Sequence, residues 1–387
     1  MLELKLISQN IIEPENQSTT DILKRGFFGS LGKKKITLNI FEALYLIDVR
    51  NAVIKAKRTN NTITFEELLF KYNKKPKFMA KYLTYKDWRD RGLVAKDLNF
   101  IFNKSEKEHP KQYPSNSITL PAENVTGIFF PSDLTAIIDN EAKGKLLYEN
   151  NWFGQYGSYK ASERGKLNKL DVYETLFLIE KNILTLINYS KKDVLKAATK
   201  RRKDFLRLFE VYKDWRDRGY VIKTGFKFGT HFRVYFPGAK PINNKNNDWI
   251  HSKHVIQVFP KDSHLLISEW ARAIRVAHSV RKTFILAVPG SVSAKKTKPD
   301  FILYHRRGAE AENPELNHPK YAMLSLSEEE YIGGREFAGA LQAARDKKLE
   351  LILAIADRET AVTYYKVREI KLKKNEIEYY EIDWMQP

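Results

Sequence analysis

The chain has 387 residues, 43% of them hydrophobic, enough for several small cores and more than one domain usually holds. It carries 67 Lys and Arg against 47 Asp and Glu, a net charge of +20 at pH 7, which concentrates polyanions and makes RNA or DNA the natural partner. The lack of cysteine excludes disulfides, thiolate catalysis and cysteine-ligated zinc, while the lack of a long apolar run or of a signal-peptide pattern at Met1-Leu2-Glu3-Leu4-Lys5 predicts a soluble, cytoplasmic protein.

Alternation over Leu2 to Ile7 predicts a strand, closed by the polar turn Ser8-Gln9-Asn10. From Leu38 to Ile54 the apolar residues Phe41, Leu44, Tyr45, Ile47 and Val49 fall at helical steps, with Asn39 as N-cap. A further helix begins near Pro76 and stops at Gly92, the residue type that best tolerates a left-handed C-terminal turn. These elements define an N-type module over residues 1–105, and the Lys-, Pro-, Ser- and Asn-rich stretch 106–123 reads as a linker.

Residues 124–221 repeat the first module. Tyr-Lys-Asp-Trp-Arg-Asp-Arg-Gly at Tyr85 to Gly92 returns letter for letter at Tyr212 to Gly219, which chance does not explain. Upstream, Phe28-Gly29 is answered by Phe153-Gly154, and Glu42 to Leu46 by Glu174 to Leu178. The second copy is longer after its glycines, where Ser158 to Lys166 is polar, basic and aromatic-tipped; Lys160 lies in this insert, either a solvated loop or an RNA-touching one.

Two C-type modules follow, 222–290 and 299–387, joined by a basic linker at 291–298. In the first, His254 to Phe259 predicts a buried strand, Asp262-Ser263 a cap, His264 to about Val280 a helix with Leu266, Trp270, Ile274 and Ala277 on one stripe, and Thr283 to Val288 a core strand. The stretch from His251 to Val288 recurs without a gap as His318 to Ile355, and Phe232 to Tyr235 is answered by Phe301 to Tyr304, but Lys282 is answered by Leu349. The chain then ends in a hairpin with an acidic tip at Asp357 and Glu359, either a solvated turn or an anchor for a basic groove of a partner subunit. Two copies of each module fall short of the roughly three an open solenoid needs, and the expected fold class is mixed α/β: duplicated N-terminal α/β modules, then two nuclease-type α/β C-terminal modules, the last degenerate.

If Tyr235, His251 and Lys282 converge, they form a site that needs neither metal nor cofactor for attack of a ribose 2′-OH on the adjacent phosphate. That reaction takes a base for the 2′ proton, an acid for the departing 5′ oxygen and a cation at the phosphoryl oxygens. Tyrosine, with an ordinary pKa of about 10, serves as base only where cations such as Lys282 lower it. Singly, each residue has a structural reading as a packing tyrosine, a satisfied histidine or a surface lysine. The pattern across the copies favours chemistry, because the lysine stays only where the other two and a full N-type module are present. The competing readings are a non-catalytic RNA-binding scaffold and a metal-dependent nuclease. The latter would start at Pro299-Asp300, which lacks a following Glu-x-Lys, or use His251 and His254, which lack a carboxylate set.

The run Lys223-Thr224-Gly225-Phe226-Lys227-Phe228-Gly229, then Phe232-Arg233-Val234-Tyr235, then His251-Ser252-Lys253, then Arg275 to Lys282, resembles the catalytic half of archaeal tRNA-splicing endonucleases. The resemblance implies Tyr235 as general base, His251 as general acid and Lys282 as transition-state stabiliser, with cleavage of precursor tRNA at a bulge-helix-bulge element to 2′,3′-cyclic phosphate and 5′-hydroxyl ends. It further implies that Arg275 grips a bulged base by cation-π stacking, and that the chain works as a homodimer with two active sites. The outer N-type and C-type modules are then expected to form one structural unit beside the central catalytic one.

Overall fold

A computed structural model describes the chain apart from residues 1, 9–10, 32–35, 101, 103–109, 122–123, 160, 244–247, 291–292, 294, 308–309 and 373–376. In the first N-type module, strands β1 (Glu3–Ser8), β2 (Ile11–Pro14), β3 (Val53–Ala56) and β4 (Thr62–Ile63) form a sheet in the order β2-β1-β3-β4. Asn39 caps helix α1 (Ile40–Arg50) in a reciprocal capping box with Glu42. The helix ends at Arg50, short of the Ile54 reached by its apolar period, because Asn51 adopts a left-handed φ of 53° and releases Val53 and Ile54 to pair with β1. Helix α2 (Phe78–Asp90) carries the first octapeptide and leads into β5 (Val94–Asp97).

The short strand β6 (Lys111–Gln112) opens the way to the second N-type module. There β7 (Val125–Phe130), β8 (Thr135–Ile138), β9 (Gln155–Tyr156), β10 (Asn168–Asp171) and β11 (Leu184–Leu186) form a sheet in the order β9-β10-β8-β7-β11. Helix α3 (Val172–Glu180), capped by Asp171, and helix α4 (Phe205–Asp217), carrying the second octapeptide, precede β12 (Val221–Thr224).

Both C-type modules share a single eleven-stranded sheet. The half that carries the second N-type module supplies β12, β13 (Phe232–Tyr235), β14 (His254–Val258) and β16 (Thr283–Val288); the other half supplies β5, β17 (Phe301–Tyr304), β18 (Tyr321–Ser327) and β20 (Glu350–Ala356). Between them lie β21 (Val362–Lys371) and β22 (Glu378–Met385), giving the order β12-β13-β14-β16-β22-β21-β20-β18-β17-β5. The order reads alike from either edge, so an approximate two-fold axis passes between β21 and β22. The first N-type module therefore packs on the last C-type module: β5 pairs with β17, and Tyr85 and Trp88 share a core with Phe301, Met323, Ile352 and Tyr364. In the same way Tyr212 and Trp215 pack with Phe232, Ile256, Ile285 and Tyr379. Helices α5 (Ile267–Ser279) and α6 (Gly334–Asp346) cover the opposite face, where Trp270 and Phe337 meet.

Two local expectations change. Helix α5 starts at Ile267, not His264, because His264–Leu266 form β15 and pair with β19 (Tyr331–Gly333) of the other C-type module. Asp262-Ser263 consequently does not cap it, and Ser263 Oγ donates to the Pro260 carbonyl at 2.7 Å instead. The described part of 106–123 is also more than a spacer: β6 pairs with β21, and the buried Tyr113 donates its hydroxyl to Glu381.

Candidate active site

Strand directions bring the three expected residues to one end of the sheet. β13 runs antiparallel to β14 with Val234 beside His254, and β14 runs parallel to β16 with His254 beside Thr283. The C-terminal end of β13 therefore lies next to the N-terminal ends of β14 and β16. Tyr235 closes β13, His251 lies just before β14, and Lys282 just before β16. Arg281, at a φ of 53°, turns the chain out of α5 and delivers Lys282 to the edge.

All three line one cavity of about 490 Å³. Its walls include Trp152, Tyr159, Phe226 and Phe228, and its polar lining includes Lys169, Asp171, Glu174, Lys223, Lys227, Arg233 and Ser252. His251 is exposed to it. Lys282 Nζ donates to the Ser252 carbonyl and, at 3.1 Å, to the Ser252 hydroxyl, and lies 4.7 Å from the centre of the Phe228 ring. Burial, and secondarily the nearby Arg233 charge, pull its pKa below the usual lysine range.

Tyr235 is only 5% exposed, with its ring centre 4.5 Å from that of Trp152. The expectation that Lys282 lowers its pKa is not met. Burial raises it, and this outweighs the opposing pull of Arg233 and of the Ser252 hydroxyl. Ser252 and Arg233 are thus the groups that sequence reading passed over. Ser252 holds Lys282 and also faces Tyr235, and its only signal was its place beside His251.

A buried scaffold sits under the cavity. Lys223 Nζ donates to Glu174 at 2.5 Å and to the Gly154 carbonyl at 2.8 Å, and Gly154 N donates to the same Glu174 oxygen at 2.9 Å. The first N-type module keeps these parts, with Gly29 N donating to Glu42 at 2.7 Å and Lys96 donating to the Gly29 carbonyl. The equivalents of Tyr235, His251 and Lys282 do not gather there. Tyr304 is fully buried, Leu349 is packed in the core and His318 is exposed; none lines the neighbouring cavity of about 630 Å³.

The remaining site candidates are spread over the molecule. Arg275 is exposed on α5 and faces Tyr365 of β21, outside the lining of the cavity. Lys160 lies outside the described residues. Asp357 turns its carboxylate inward, accepting from Glu359 N at 2.9 Å and Ala361 N at 2.8 Å, while Glu359 is exposed at the hairpin tip. His254, the other half of the metal pair considered above, is buried between Tyr113 and Phe236, whereas His251 faces the cavity. Asp300 accepts from Ser325 N and pairs with Lys81 at 3.0 Å.

Residues 205–298 match the tRNA intron endonuclease catalytic C-terminal domain, and residues 2–69 match the N-terminal domain of the same family. A tRNA-splicing endonuclease of Methanopyrus kandleri is 38% identical over 135 residues, 34% of this chain and 71% of that protein. The chain belongs to the tRNA-splicing endonuclease family. A second family member, from Pyrococcus furiosus, is 36% identical over 137 residues, 34% of this chain and 72% of its own. The tRNA-splicing endonuclease of Methanococcoides burtonii is 26% identical over 337 residues, 71% of this chain and 92% of its own, so the likeness extends well beyond the catalytic module. As a member of this family the protein is an endonuclease acting on tRNA. No helix among its described residues is long and apolar enough to cross a membrane.

Proposed function

We propose that the protein cuts precursor tRNA at bulge-helix-bulge intron junctions by 2′-OH attack, without a metal ion. The observation that carries this reading is that Tyr235, His251 and Lys282 line one cavity in one half of the molecule, whereas their counterparts in the other half are buried or dispersed. Tyr235 accepts the 2′ proton as the 2′ oxygen bonds to phosphorus. His251 gives a proton to the 5′ oxygen as the P–O bond breaks, leaving a 2′,3′-cyclic phosphate and a 5′-hydroxyl. Lys282, fixed by Ser252, stabilises the extra charge on the phosphoryl oxygens. Burial favours the neutral phenol and the Arg233 charge and Ser252 hydroxyl oppose it, so proton transfer to Tyr235 draws on its ionised fraction.

The same reading places the protein in the cytoplasm as a homodimer, with Arg275 and Lys160 on the RNA. Glu359 is the acid at the hairpin tip that remains exposed for a partner, since Asp357 fixes its own turn. Incubation of wild type and Lys282→Ala with end-labelled bulge-helix-bulge RNA in EDTA tests the chemistry. Cyclic-phosphate ends from wild type alone are expected. Binding without cleavage returns the scaffold reading, and cleavage restored only by magnesium sinks the triad. Sedimentation showing an active monomer would remove the dimer.

A further inference from the structure

The two N-type modules act as an internal control for what the catalytic cavity needs. Asp171 caps α3 by accepting from Glu174 N at 2.8 Å, and Glu174 returns the contact to Asp171 N at 3.1 Å. In the other module Asn39 does the same work, accepting from Glu42 N at 2.9 Å, while Glu42 receives Asn39 N at 2.9 Å. Asparagine and aspartate cap about equally well, so capping does not require the negative charge at Asp171. That charge is unfavourable where it stands, enclosed beside Glu174, and burial with the Glu174 carboxylate pushes its pKa up to about 7. Lys223 offsets it only in part, because its ammonium is already bonded to Glu174 and Gly154.

Asp171 Oδ1 accepts from Glu174 N, and the Tyr173 N–H also acts on the carboxyl, so two backbone donors hold its orientation. The residue is part of the wall of the catalytic cavity, together with the aromatic rings of Trp152, Tyr159, Phe226 and Phe228. Phe226 is 86% exposed at this site, a large apolar ring with nothing covering it. The cavity therefore combines cations, a carboxyl group and aromatic rings in one wall. Lys282 and Arg233 line it with Tyr235, where a phosphate is wanted, and the Asp171 carboxyl shares the lining with rings on which a base can stack.

We infer that Asp171 reads a nucleobase next to the cleaved phosphate, its ionised carboxylate accepting a hydrogen bond from an exocyclic amine while the base stacks on the aromatic wall. Adenine, cytosine and guanine each offer such an amine. Uracil presents carbonyl oxygens on both sides of its N3–H and is repelled. This rests on the RNA-cleavage reading of the same cavity and deepens it, assigning the site a preference for amine-bearing bases over uracil.

The test, run at pH 8.5 so that Asp171 is ionised, uses bulged RNA hairpins with a 2′-deoxy nucleotide at the cleavage position, so that binding is measured without turnover, and with A, C, G or U placed in turn on either side of that phosphate. Wild type is expected to bind the amine-bearing bases about ten-fold more tightly than uracil at one of the two positions, the value of one well-formed hydrogen bond. Asp171→Asn and Asp171→Ser both keep a capping side chain but lack the carboxylate, and the ratio should fall to within about three-fold in both. Asn39→Asp, in the other half, should leave the ratio as in wild type. Equal binding of all four bases by wild type at both positions, or a wild-type ratio in both Asp171 variants, would overturn the inference. Cleavage of the matching all-ribose hairpins is scored separately. A base preference without cleavage refutes the proposed reaction but not the base contact, and cleavage without preference does the reverse.

Discussion

Tyr379 donates its hydroxyl to Asp214 at 2.7 Å across 165 residues of chain, tying the C-terminal strand to the second octapeptide. Tyr364 makes the same bond to Asp87 of the first octapeptide, also at 2.7 Å. The adjacent tryptophans repeat the contact, with Trp215 at 5.2 Å from Tyr379 and Trp88 at 5.5 Å from Tyr364, ring centre to ring centre. The octapeptide is thus repeated because each copy clamps its N-type module onto one of the two central strands.

Removing one clamp should cost about 1–2 kcal/mol, the usual effect of leaving a buried acceptor short of a donor. We expect Tyr379→Phe and Tyr364→Phe to lower the denaturation midpoint by similar amounts, since Asp214 and Asp87 keep their ion pairs to Arg218 and Arg91. Equal midpoints for wild type and both variants would show that the bonds contribute nothing to stability.

Lys282→Leu installs the residue that the other half carries as Leu349. Cleavage should fall by about 10²–10⁴-fold from loss of the phosphoryl cation, with little change in stability, because the ammonium is partly desolvated where it stands. Leu349→Lys should give no new activity, since Tyr304 stays fully buried in that half. Single-turnover rates with thermal melts of each variant check both statements, and cleavage by a Lys282→Leu, Leu349→Lys double variant would contradict them.

The Asp171 carboxyl has a pKa raised from 3.8 to about 7, by burial first and Glu174 second. The folded state thus holds this proton more tightly than the unfolded chain, so the contribution is fully present below about pH 4 and is lost as pH rises through 7. Asp171→Asn should then be the more stable protein at pH 8.5, by on the order of 1–2 kcal/mol given partial access to the cavity, and should lose that advantage at pH 4. Urea midpoints at the two pH values measure it; an advantage that does not change with pH would contradict the assignment.

His231 shows the opposite sign. Its Nδ1 accepts from Val258 N at 3.0 Å, and burial, with Arg202 nearby, pulls its pKa from 6.5 down to about 4. Below pH 6.5 the unfolded chain takes up a proton that the folded protein refuses, so stability should fall between pH 6.5 and 4, by about 2 kcal/mol from this group. His254, also pulled down to about 4 by burial, adds to the loss. His231→Gln should flatten part of the fall in a series of urea midpoints, and an unchanged slope would assign the acid sensitivity elsewhere.

Much of this organisation is legible in the sequence because it is local or repeated. The capping pattern at Asn39 and Glu42 marks a helix start, and the gapless match of His251 to Val288 with His318 to Ile355 reappears as β14, α5 and β16 against β18, α6 and β20. The start of α5 was not legible, because the pairing of His264–Leu266 with Tyr331–Gly333 joins segments far apart in the chain. Nor was the site's electrostatics: spacing gives the identity of Tyr235 but not its burial, and burial decides the direction of its pKa.

By itself, then, the sequence determined what short stretches carry: the capping box at Asn39 and Glu42, the octapeptide at Tyr85 and again at Tyr212, and the aligned runs in which Lys282 stands against Leu349. Only the tertiary structure decided that β21 and β22 join two half-molecules into one sheet, that Ser252 fixes Lys282, and that Asp171 lines the same cavity as Tyr235, His251 and Lys282. These depend on which distant segments exclude water together, and hydrogen-bond pairing across such distances leaves no period in the sequence.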